Sequence, residues 1–392
     1  MFKQKEAWKE ATWVFAMSRL MIILISIFCV GFFSQAARNF GADCKIDAFC
    51  IYYHWDVVHY VHIAFYGYRV VQDTGFFPLW PLILHGVGWL LGGNNPISYI
   101  IAGLLVANIC FYFALVFLYR LVSEEFEQST ARRALYYFAF SPFAFFFFLG
   151  YTESLFVMLC IATFLLLRQE SRWAWLCAGL LGFLATMTRS SGLALAVPFL
   201  VIGLRDSLRL HFERASFSQW WGLLLRLAPV LLIPAALGTY MLYLWITKGD
   251  PLAFSSQEAA VWNRHLSLPW QGIVASLQLM FDPRSNVWTR TQNLLDTLFT
   301  ILPLAILFIG WRRIPLHYIL FCLALALIAL SFPIYYIEPL TSLPRYLLVA
   351  FPVTILCAMW GKHARFDAFY TAFSLPLFGL ITIMFLVAFW VA

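Results

Sequence analysis

One short segment, His54-Trp55-Asp56-Val57-Val58-His59-Tyr60, holds a carboxylate and two imidazoles in a chain that otherwise avoids charge. Charged residues make up 11% of the 392 residues, whereas hydrophobic residues make up 62%. An ionisable side chain kept in such a chain is a functional candidate. We predict that Asp56 acts as a general base, because a carboxylate beside an apolar wall is suited to take a proton from a hydroxyl group. A helix N-cap is the structural alternative for this aspartate.

Histidines surround this aspartate in the pattern His54-x-Asp56-x-x-His59-x-x-His62. Imidazole and carboxylate are ligands that zinc accepts, so a metal site is one interpretation. On a helix, however, positions 54 and 56 point away from positions 59 and 62. Imidazoles at a membrane interface also commonly hydrogen-bond water. The geometric fit to a metal site is therefore weak.

Three further ionisable residues lie at short turns between apolar segments: Glu153, Arg189 and Arg345. A charge at the centre of a bilayer costs about 2.5–3.5 kcal/mol, so each of them needs a partner or a wet cavity. Structural pairing, such as Glu153 with Arg189, is one interpretation. The functional interpretation is that the arginines bind an anionic group, most plausibly a phosphate, through their forked donors.

A second polar segment lies around residues 257–265 and contains Gln257, Trp262 and Arg264. Trp262 has two possible roles, stacking on a sugar ring or anchoring the chain in the aromatic belt of a membrane protein. Arg264 is a third candidate for binding a phosphate. We include Gln257 with the supporting polar residues.

The elements that must position these residues are apolar helices. The mean hydropathy of +0.80 excludes an ordinary soluble domain and indicates an all-α polytopic membrane protein. We see no P-loop, no dinucleotide-binding glycine motif and no zinc-type cysteine pair, and we expect no nucleic-acid partner. About eleven helices are predicted: 13–34, 97–119, 134–149, 154–167, 173–187, 193–204, 222–246, 294–310, 315–334, 346–360 and 368–391.

The basic residues predict the orientation of the chain. Lysines and arginines cluster between helices on one side, which is therefore cytoplasmic and contains the N-terminus. Two long loops, roughly 35–95 and 247–293, then face outward, and the whole chain 1–392 forms one membrane domain. The first loop carries an amphipathic segment at 57–68, predicted as an interfacial helix, and an apolar one at 76–92, predicted as either a re-entrant or an interfacial helix. Its Cys44 and Cys50 either pair as a disulfide or remain free thiols.

The ordered motifs resemble the PIG-V family of membrane mannosyltransferases. The matching residues follow the family pattern along nearly the whole chain: Trp55-Asp56 with Tyr60, Ile63-Ala64 and Gly67-Tyr68; Phe76-Phe77-Pro78-Leu79-Trp80-Pro81-Leu82; Ser141-Pro142; Tyr151-Thr152-Glu153-Ser154-Leu155-Phe156; Arg189 with Gly192; Pro339-Leu340-Thr341-Ser342; and Arg345-Tyr346-Leu347-Leu348. The chain departs from the pattern at Ser191, where many members have asparagine.

This resemblance implies a GT-C glycosyltransferase fold with its active site on the outer side of the membrane, under the first loop. It implies inverting transfer of a sugar, with mannose as the family's sugar, from a polyprenyl- or dolichyl-phosphate donor. Asp56 maps onto the catalytic base. Arg345, Arg189 and Arg264 are candidates for the donor phosphate. His54, Trp55, His59, Tyr60, Glu153, Gln257 and Trp262 are candidate supporting residues. For an enzyme with such a donor, the resemblance implies that no metal ion and no cofactor is needed.

Three other readings of the sequence remain open. A lipid or solute transporter, or a flippase, would also have many helices and a few charges within them. A metal-dependent membrane hydrolase would use the histidines around Asp56, and a non-catalytic assembly subunit would keep the fold without activity. For a transferase, the acceptor is open among a glycolipid, another glycan and a protein.

Overall fold

The computed structural model describes residues 2–38, 49, 51–209, 216–334 and 338–391, and these are almost entirely helical. The described ranges contain no regular β-strand, and one isolated antiparallel bridge joins Arg264 to Ile334. The predicted all-α class is confirmed. Cys44 and Cys50 lie outside the described residues. 

The α-helices are α1 Phe2–Arg38, α2 Asp56–Tyr66, α3 Leu79–Leu90, α4 Pro96–Glu125, α5 Gln128–Ala139, α6 Glu153–Leu167, α7 Arg172–Thr188, α8 Ala196–Arg209, α9 Phe217–Leu227, α10 Leu232–Lys248, α11 Ala253–Trp262, α12 Gln271–Phe281, α13 Val287–Gly310, α14 Leu316–Leu330, α15 Leu343–Leu348, α16 Phe351–Trp360 and α17 Ala364–Leu386. Short 3-10 helices cover Val71–Gly75, Ala144–Phe147, Ser190–Leu195 and Ala228–Leu231.

Five helical segments are long and apolar enough to cross a membrane: Lys5–Phe33, Pro96–Glu125, Phe217–Lys248, Val287–Gly310 and Ala364–Leu386. Five shorter apolar helices accompany them in the described chain: Leu79–Leu90, Glu153–Leu167, Gln271–Phe281, Leu316–Leu330 and Phe351–Trp360. A helix of this shorter kind reaches across only part of a bilayer of about 30 Å. The chain is thus an integral membrane protein that combines long and short helices, and the number of spans stays a prediction.

Two predicted spans are wrong as continuous helices. The span 134–149 ends at Ala139 and resumes as a 3-10 turn, and 346–360 is broken between Leu348 and Phe351. The predicted span 222–246 lies within the long segment Phe217–Lys248, which contains the 3-10 turn Ala228–Leu231. Each of these interruptions lies beside a proline, namely Pro142, Pro352 and Pro229. Proline lacks an N–H group and restricts the residue before it, so a helix commonly ends or restarts there.

The core is built around α4. This helix packs against α1, α3, α5 and α6, and α6 in turn packs against α7, which contacts α10. Aromatic side chains fill the centre; Phe111 stacks on Phe147 with ring centroids 4.6 Å apart. The arrangement leaves the first loop, with α2 and α3, resting on the end of this bundle through contacts to α4.

Candidate active site

Asp56 is the first residue of α2, and its carboxylate forms an ion pair instead of capping the helix. Its Oδ2 accepts a hydrogen bond of 2.7 Å from Nη1 of Arg345. The N-cap position is Trp55, which has a φ of 54° and makes no side-chain cap bond. A bulky residue with positive φ is uncommon and strained. The strained turn sets the direction in which α2 presents Asp56 to Arg345.

Glu153 is the second carboxylate of the site and begins α6. Its Oε1 lies 3.4 Å from Nε of Arg345 and 3.2 Å from Nη1 of Arg189. The Glu153 side chain is 1% exposed, and its second oxygen has no hydrogen-bond partner among the described residues. The pairing of Glu153 with Arg189 expected from the sequence is present, and Arg345 joins it. Asp56, Arg345, Glu153 and Arg189 thus form one chain of ion pairs.

Three arginines from distant parts of the sequence converge on one aromatic ring, that of Tyr346. The guanidinium carbons of Arg189, Arg345 and Arg264 lie 4.7, 5.2 and 5.6 Å from its centroid. A guanidinium over an aromatic face is attracted by the negative charge of the ring face. Tyr346 is therefore a shared support for the cations, a role that its place beside Arg345 in the sequence did not reveal.

Burial shapes the protonation of the groups around Arg345. Burial alone would lower the pKa of Arg345, but Asp56 and Glu153 outweigh it, so the pKa is raised above its ordinary value and the guanidinium stays charged. Burial, reinforced by the charge of Asp56, also raises the pKa values of Tyr60 and Tyr151. Both phenols are therefore neutral near pH 7. The Tyr151 hydroxyl is buried and has no partner in the described chain.

A third ion pair flanks the cluster. Arg264 Nε lies 3.4 Å from Glu258 Oε2, and Arg264 Nη2 donates a hydrogen bond of 3.3 Å to the Thr341 carbonyl. Burial raises the pKa of Glu258, Arg264 opposes this, and the charge of Asp56 adds to it. Sequence reasoning selected the neighbouring Gln257, which is half-buried on the same helix, and missed Glu258. Only the fold shows that Glu258 lies within electrostatic reach of Asp56.

His59 and His62 contact the carboxylate of Asp73, not that of Asp56. His59 Nδ1 lies 3.2 Å from Asp73 Oδ1, and His62 Nδ1 lies 2.8 Å from Asp73 Oδ2. The buried Asp73 thus ties α2 to the 3-10 helix Val71–Gly75. His54 is buried separately, and burial lowers its pKa to about 4, so it is neutral near pH 7. Within the described ranges, no three His, Cys, Asp or Glu side chains are grouped to hold a metal ion.

An aromatic wall joins the two long loops beside Asp56. The His59 ring stacks on Phe76 with centroids 4.7 Å apart, and Trp262 meets Phe76 edge-on at 5.7 Å. A Cβ on Gly75 would lie 3.2 Å from Trp262 and 3.4 Å from a Glu258 oxygen, so the loops are in close contact. Trp262 thus lies within the candidate site, where a sugar ring could stack on it.

Two sequence motifs pack against the segments that carry Glu153 and Arg189. Trp80, from the segment Phe76–Leu82, is fully buried, and its indole donates a hydrogen bond of 2.9 Å to the Gly150 carbonyl, just before Tyr151 and Glu153. Gly192, downstream of Arg189, lies so close to α7 that an added Cβ would be 2.5 Å from the Thr186 backbone. A larger residue there would push the Arg189 turn away from Glu153.

Residues 25–216 match the family model described as Mannosyltransferase (PIG-V). The match is to the PIG-V mannosyltransferases. The family resemblance predicted from the ordered motifs is thereby confirmed. The PIG-V region takes in Asp56, Glu153 and Arg189, whereas Arg264 and Arg345 lie beyond it.

A named relative supports the same family. The chain is 27% identical over 232 residues to GPI mannosyltransferase 2 of Schizosaccharomyces pombe, an alignment that covers 55% of this chain and 48% of that protein. The chain thus spans about half the length of the curated PIG-V relative that it matches. 

Similar solved structures come from the oligosaccharyltransferase of Archaeoglobus fulgidus. One, tethered with an acceptor peptide, has a TM-score of 0.46 and 14% identity, covering 96% of this chain and 55% of that chain. Another, in complex with an inhibitory peptide and a dolichol-phosphate, has a TM-score of 0.45 and 13% identity with the same coverage. At these scores the likeness is too loose to define how the helices correspond.

Proposed function

We propose that the chain is a membrane glycosyltransferase that moves a sugar, mannose by its family, from a polyprenyl- or dolichyl-phosphate donor to an acceptor hydroxyl. The observation that carries this proposal is the chain of ion pairs Asp56–Arg345–Glu153–Arg189, which links the first long loop to three later parts of the chain. Asp56 is the general base, and the reaction inverts the configuration at the anomeric carbon. The mapping of Asp56 onto the family's acidic residue supports this role.

In the proposed reaction, Asp56 takes the proton of the acceptor hydroxyl as its oxygen forms a bond to the anomeric carbon. The bond from that carbon to the phosphate oxygen breaks on the opposite face, and the electron pair leaves with the lipid phosphate. Arg345 holds the ionised carboxylate in place at 2.7 Å before the acceptor arrives. Asp56, which takes the proton, and Arg345, which holds the Asp56 carboxylate, are thus in direct contact.

The phosphate needs positive charge that the cluster does not freely offer. Three arginines, Arg189, Arg264 and Arg345, face the three carboxylates of Asp56, Glu153 and Glu258. With every group ionised the set is neutral, which disfavours an anion. Desolvation raises the pKa of Glu258, while 36% of its side chain remains exposed, so this carboxylate can take up a proton from solvent. A neutral Glu258 leaves one positive charge for the phosphate, with Arg264 released to donate to it.

We expect the reaction to take place at the surface of the bilayer. Asp56 and Glu258 lie in segments between the long apolar helices, so the donor's headgroup can reach them while its lipid tail stays among the short helices. By the basic-residue rule this side is the outer one, with the N-terminus in the cytoplasm. A glycolipid, another glycan or a protein would approach from the aqueous side.

The test is transfer of labelled mannose from polyprenyl-phosphate-mannose by the purified full chain in lipid nanodiscs, with a panel of glycan, glycolipid and peptide acceptors. Wild-type protein is expected to form a glycosylated product with inverted anomeric configuration, and Asp56→Asn is expected to lose at least about a thousandfold of that rate. Asp250→Asn is the matched control, because Asp250 is an acidic residue that caps the backbone of the second loop.

Three results would contradict the proposal. Wild-type turnover in Asp56→Asn would remove Asp56 as the base. A product with retained configuration would remove the single inverting displacement. Movement of the intact donor across the bilayer, with no transfer to any acceptor or to water, would favour a flippase.

A further inference from the structure

Helix α13, Val287–Gly310, has two polar faces, which differ in whether their side chains have hydrogen-bond partners. On the first face, the polar groups satisfy one another. Ser276 of α12 lies 2.8 Å from Asn293 Oδ1 and 2.8 Å from Thr297 Oγ1, and Asn293 Nδ2 donates 2.8 Å to the Thr289 carbonyl. These hydrogen bonds hold α13 against α12.

The second face carries Gln292, Asp296 and Thr300, each four residues from the next and therefore aligned along one side of the helix. All three are buried; Asp296 is 1% exposed. Both Asp296 carboxylate oxygens, the Gln292 side-chain nitrogen and the Thr300 hydroxyl lack a hydrogen-bond partner among the described residues. We name these three residues the α13 stripe.

An unsatisfied stripe of this kind is costly to the folded protein. A buried polar group without a hydrogen bond destabilises a fold, and a carboxyl group more than an amide or a hydroxyl. Asp296 lies within a helix that is long and apolar enough to cross a membrane, where ionisable residues usually mark a substrate path. Packing alone would favour an apolar residue at each of these positions.

The stripe borders the proposed active site. Helix α13 packs against α15, which carries Arg345. Just before α15, Glu338 accepts a hydrogen bond of 3.2 Å from the Thr341 hydroxyl, and the carbonyl of Thr341 accepts one from Arg264. The helix that carries the stripe thus packs against the segment that holds the arginine cluster.

We propose that the α13 stripe is a carbohydrate subsite that binds the hydroxyl groups of a sugar ring entering from the side of Glu338. A carboxyl group offers acceptors, an amide nitrogen offers donors and a hydroxyl offers both, which matches a neutral polyol. The stripe contains no cation that could pair with a phosphate, and the unpartnered atom of Gln292 is its amide nitrogen, which does not ligate a metal ion. The inference rests on the proposed function, because that function supplies a sugar; the ring belongs either to the donor or to the acceptor.

The experiment measures the thermal unfolding of the full chain in nanodiscs with three probes: polyprenyl phosphate, polyprenyl-phosphate-mannose and dodecyl α-mannoside. If the stripe binds the donor sugar, the mannosylated donor stabilises wild type more than polyprenyl phosphate does, and Asp296→Leu loses that excess with at least about a tenfold weaker apparent affinity. If it binds an acceptor sugar, the same variant loses at least about tenfold in affinity for dodecyl α-mannoside alone.

The control is Asn293→Leu, three residues before Asp296 on the same helix. Without ligand, Asn293→Leu is expected to unfold at a lower temperature, since it breaks the bonds to Ser276 and Thr289, but to keep its sugar affinity. Asp296→Leu is expected to unfold no lower than wild type, because it removes an unsatisfied buried group.

The inference is overturned if Asp296→Leu binds both sugar probes as wild type does. It is also overturned if wild type gains nothing from mannose on either probe. Sugar binding through the stripe without any transfer would count against the proposed function alone, whereas transfer with unchanged binding in Asp296→Leu would count against the stripe alone.

Discussion

Arg19 and Arg345 are both buried arginines, 6% and 4% exposed, and both lie over aromatic rings, but Arg345 also contacts carboxylates. Arg19, inside α1, donates 3.2 Å to the Phe147 carbonyl and lies 4.3 Å from the Phe111 ring centroid. Arg345 contacts two carboxylates, Asp56 and Glu153. Carbonyl oxygens and ring faces carry partial negative charges that hold a cation in a fixed position. Carboxylates carry a full negative charge and can also accept a proton during a reaction.

The difference separates a structural cation from a functional one. Arg19 lies within a long apolar helix, and its partners there are a carbonyl oxygen and an aromatic ring. Arg345 holds the proposed base, so its removal should affect chemistry as well as stability. Each of the following variants tests whether this division holds.

The largest effect is expected for Arg345→Ala. It leaves Asp56 and Glu153 facing each other without their common cation, and breaking a buried pair typically costs about 3–5 kcal/mol. We expect transfer to fall by at least about a thousandfold and the unfolding temperature to fall as well. Arg345→Lys, which keeps the charge but loses the fork, should fold like wild type and still lose about tenfold or more.

The control for these variants is Arg284→Ala, at an exposed arginine of the second loop, which should leave transfer within about twofold of wild type. If Arg345→Lys had full activity, a point charge would suffice, and the geometric role given to the guanidinium would be wrong. Loss of folding in Arg345→Ala with full activity in Arg345→Lys would place Arg345 with Arg19 as a structural cation.

The sequence identified Asp56 but could not reveal its partner. An isolated carboxylate in a chain with 11% charged residues is conspicuous, and the ordered motifs support it. Its ion pair with Arg345, however, joins residues 289 positions apart, and Glu258 is an ordinary glutamate on a polar helix until the fold brings it near Asp56. Local composition gives no information about such long-range pairs.

Helix identity was predictable, whereas helix continuity was not. Hydrophobic runs indicated the apolar helices, but Pro142 and Pro352 lie at breaks in two of the predicted spans, and Pro229 lies in a 3-10 turn within a third. Pro303 and Pro376 lie inside continuous helices, α13 and α17. Because neighbouring helices in a membrane protein can satisfy the backbone groups that a proline frees, only tertiary packing decides which prolines interrupt a helix.

The second prediction extends the comparison to pH. Neutral Glu258 is the form that leaves Arg264 free for phosphate, and it dominates below the raised pKa of Glu258. As the pH rises through that pKa, Glu258 ionises and pairs with Arg264, so the donor KM of wild type should increase. Glu258→Gln is permanently neutral and should lose this increase, with a donor KM about tenfold lower than wild type at the alkaline end.

The measurement is the donor KM of wild type and Glu258→Gln across a pH series, with kcat recorded in parallel. An unchanged alkaline increase of the donor KM in Glu258→Gln would show that another group controls phosphate binding.

The third prediction tests the structural side of the comparison. Arg19→Met keeps a long unbranched side chain but loses the hydrogen bond to the Phe147 carbonyl and the contact with the Phe111 ring. The Phe147 carbonyl also accepts 2.9 Å from the Ser154 hydroxyl, so it keeps a partner. We expect a loss of about 1 kcal/mol in unfolding free energy and donor and acceptor KM values within about twofold of wild type. A change of more than about tenfold in the donor KM with unchanged stability would place Arg19 among the functional cations.

The smallest effect is expected at Tyr346, which three guanidinium groups share. Tyr346→Phe retains the ring face that attracts the cations, so its donor KM should equal that of wild type within about twofold. Tyr346→Leu removes the face, and at about 0.5–1 kcal/mol for a cation–π contact the donor KM should rise by about threefold to fivefold. The ring contacts Arg189, Arg264 and Arg345 together, so the same substitution is also assayed in the Arg264→Ala background. If the ring positions Arg264 for the phosphate, the rise in donor KM should disappear there. A rise that persists in that background would assign the contribution of the ring to Arg189 or Arg345.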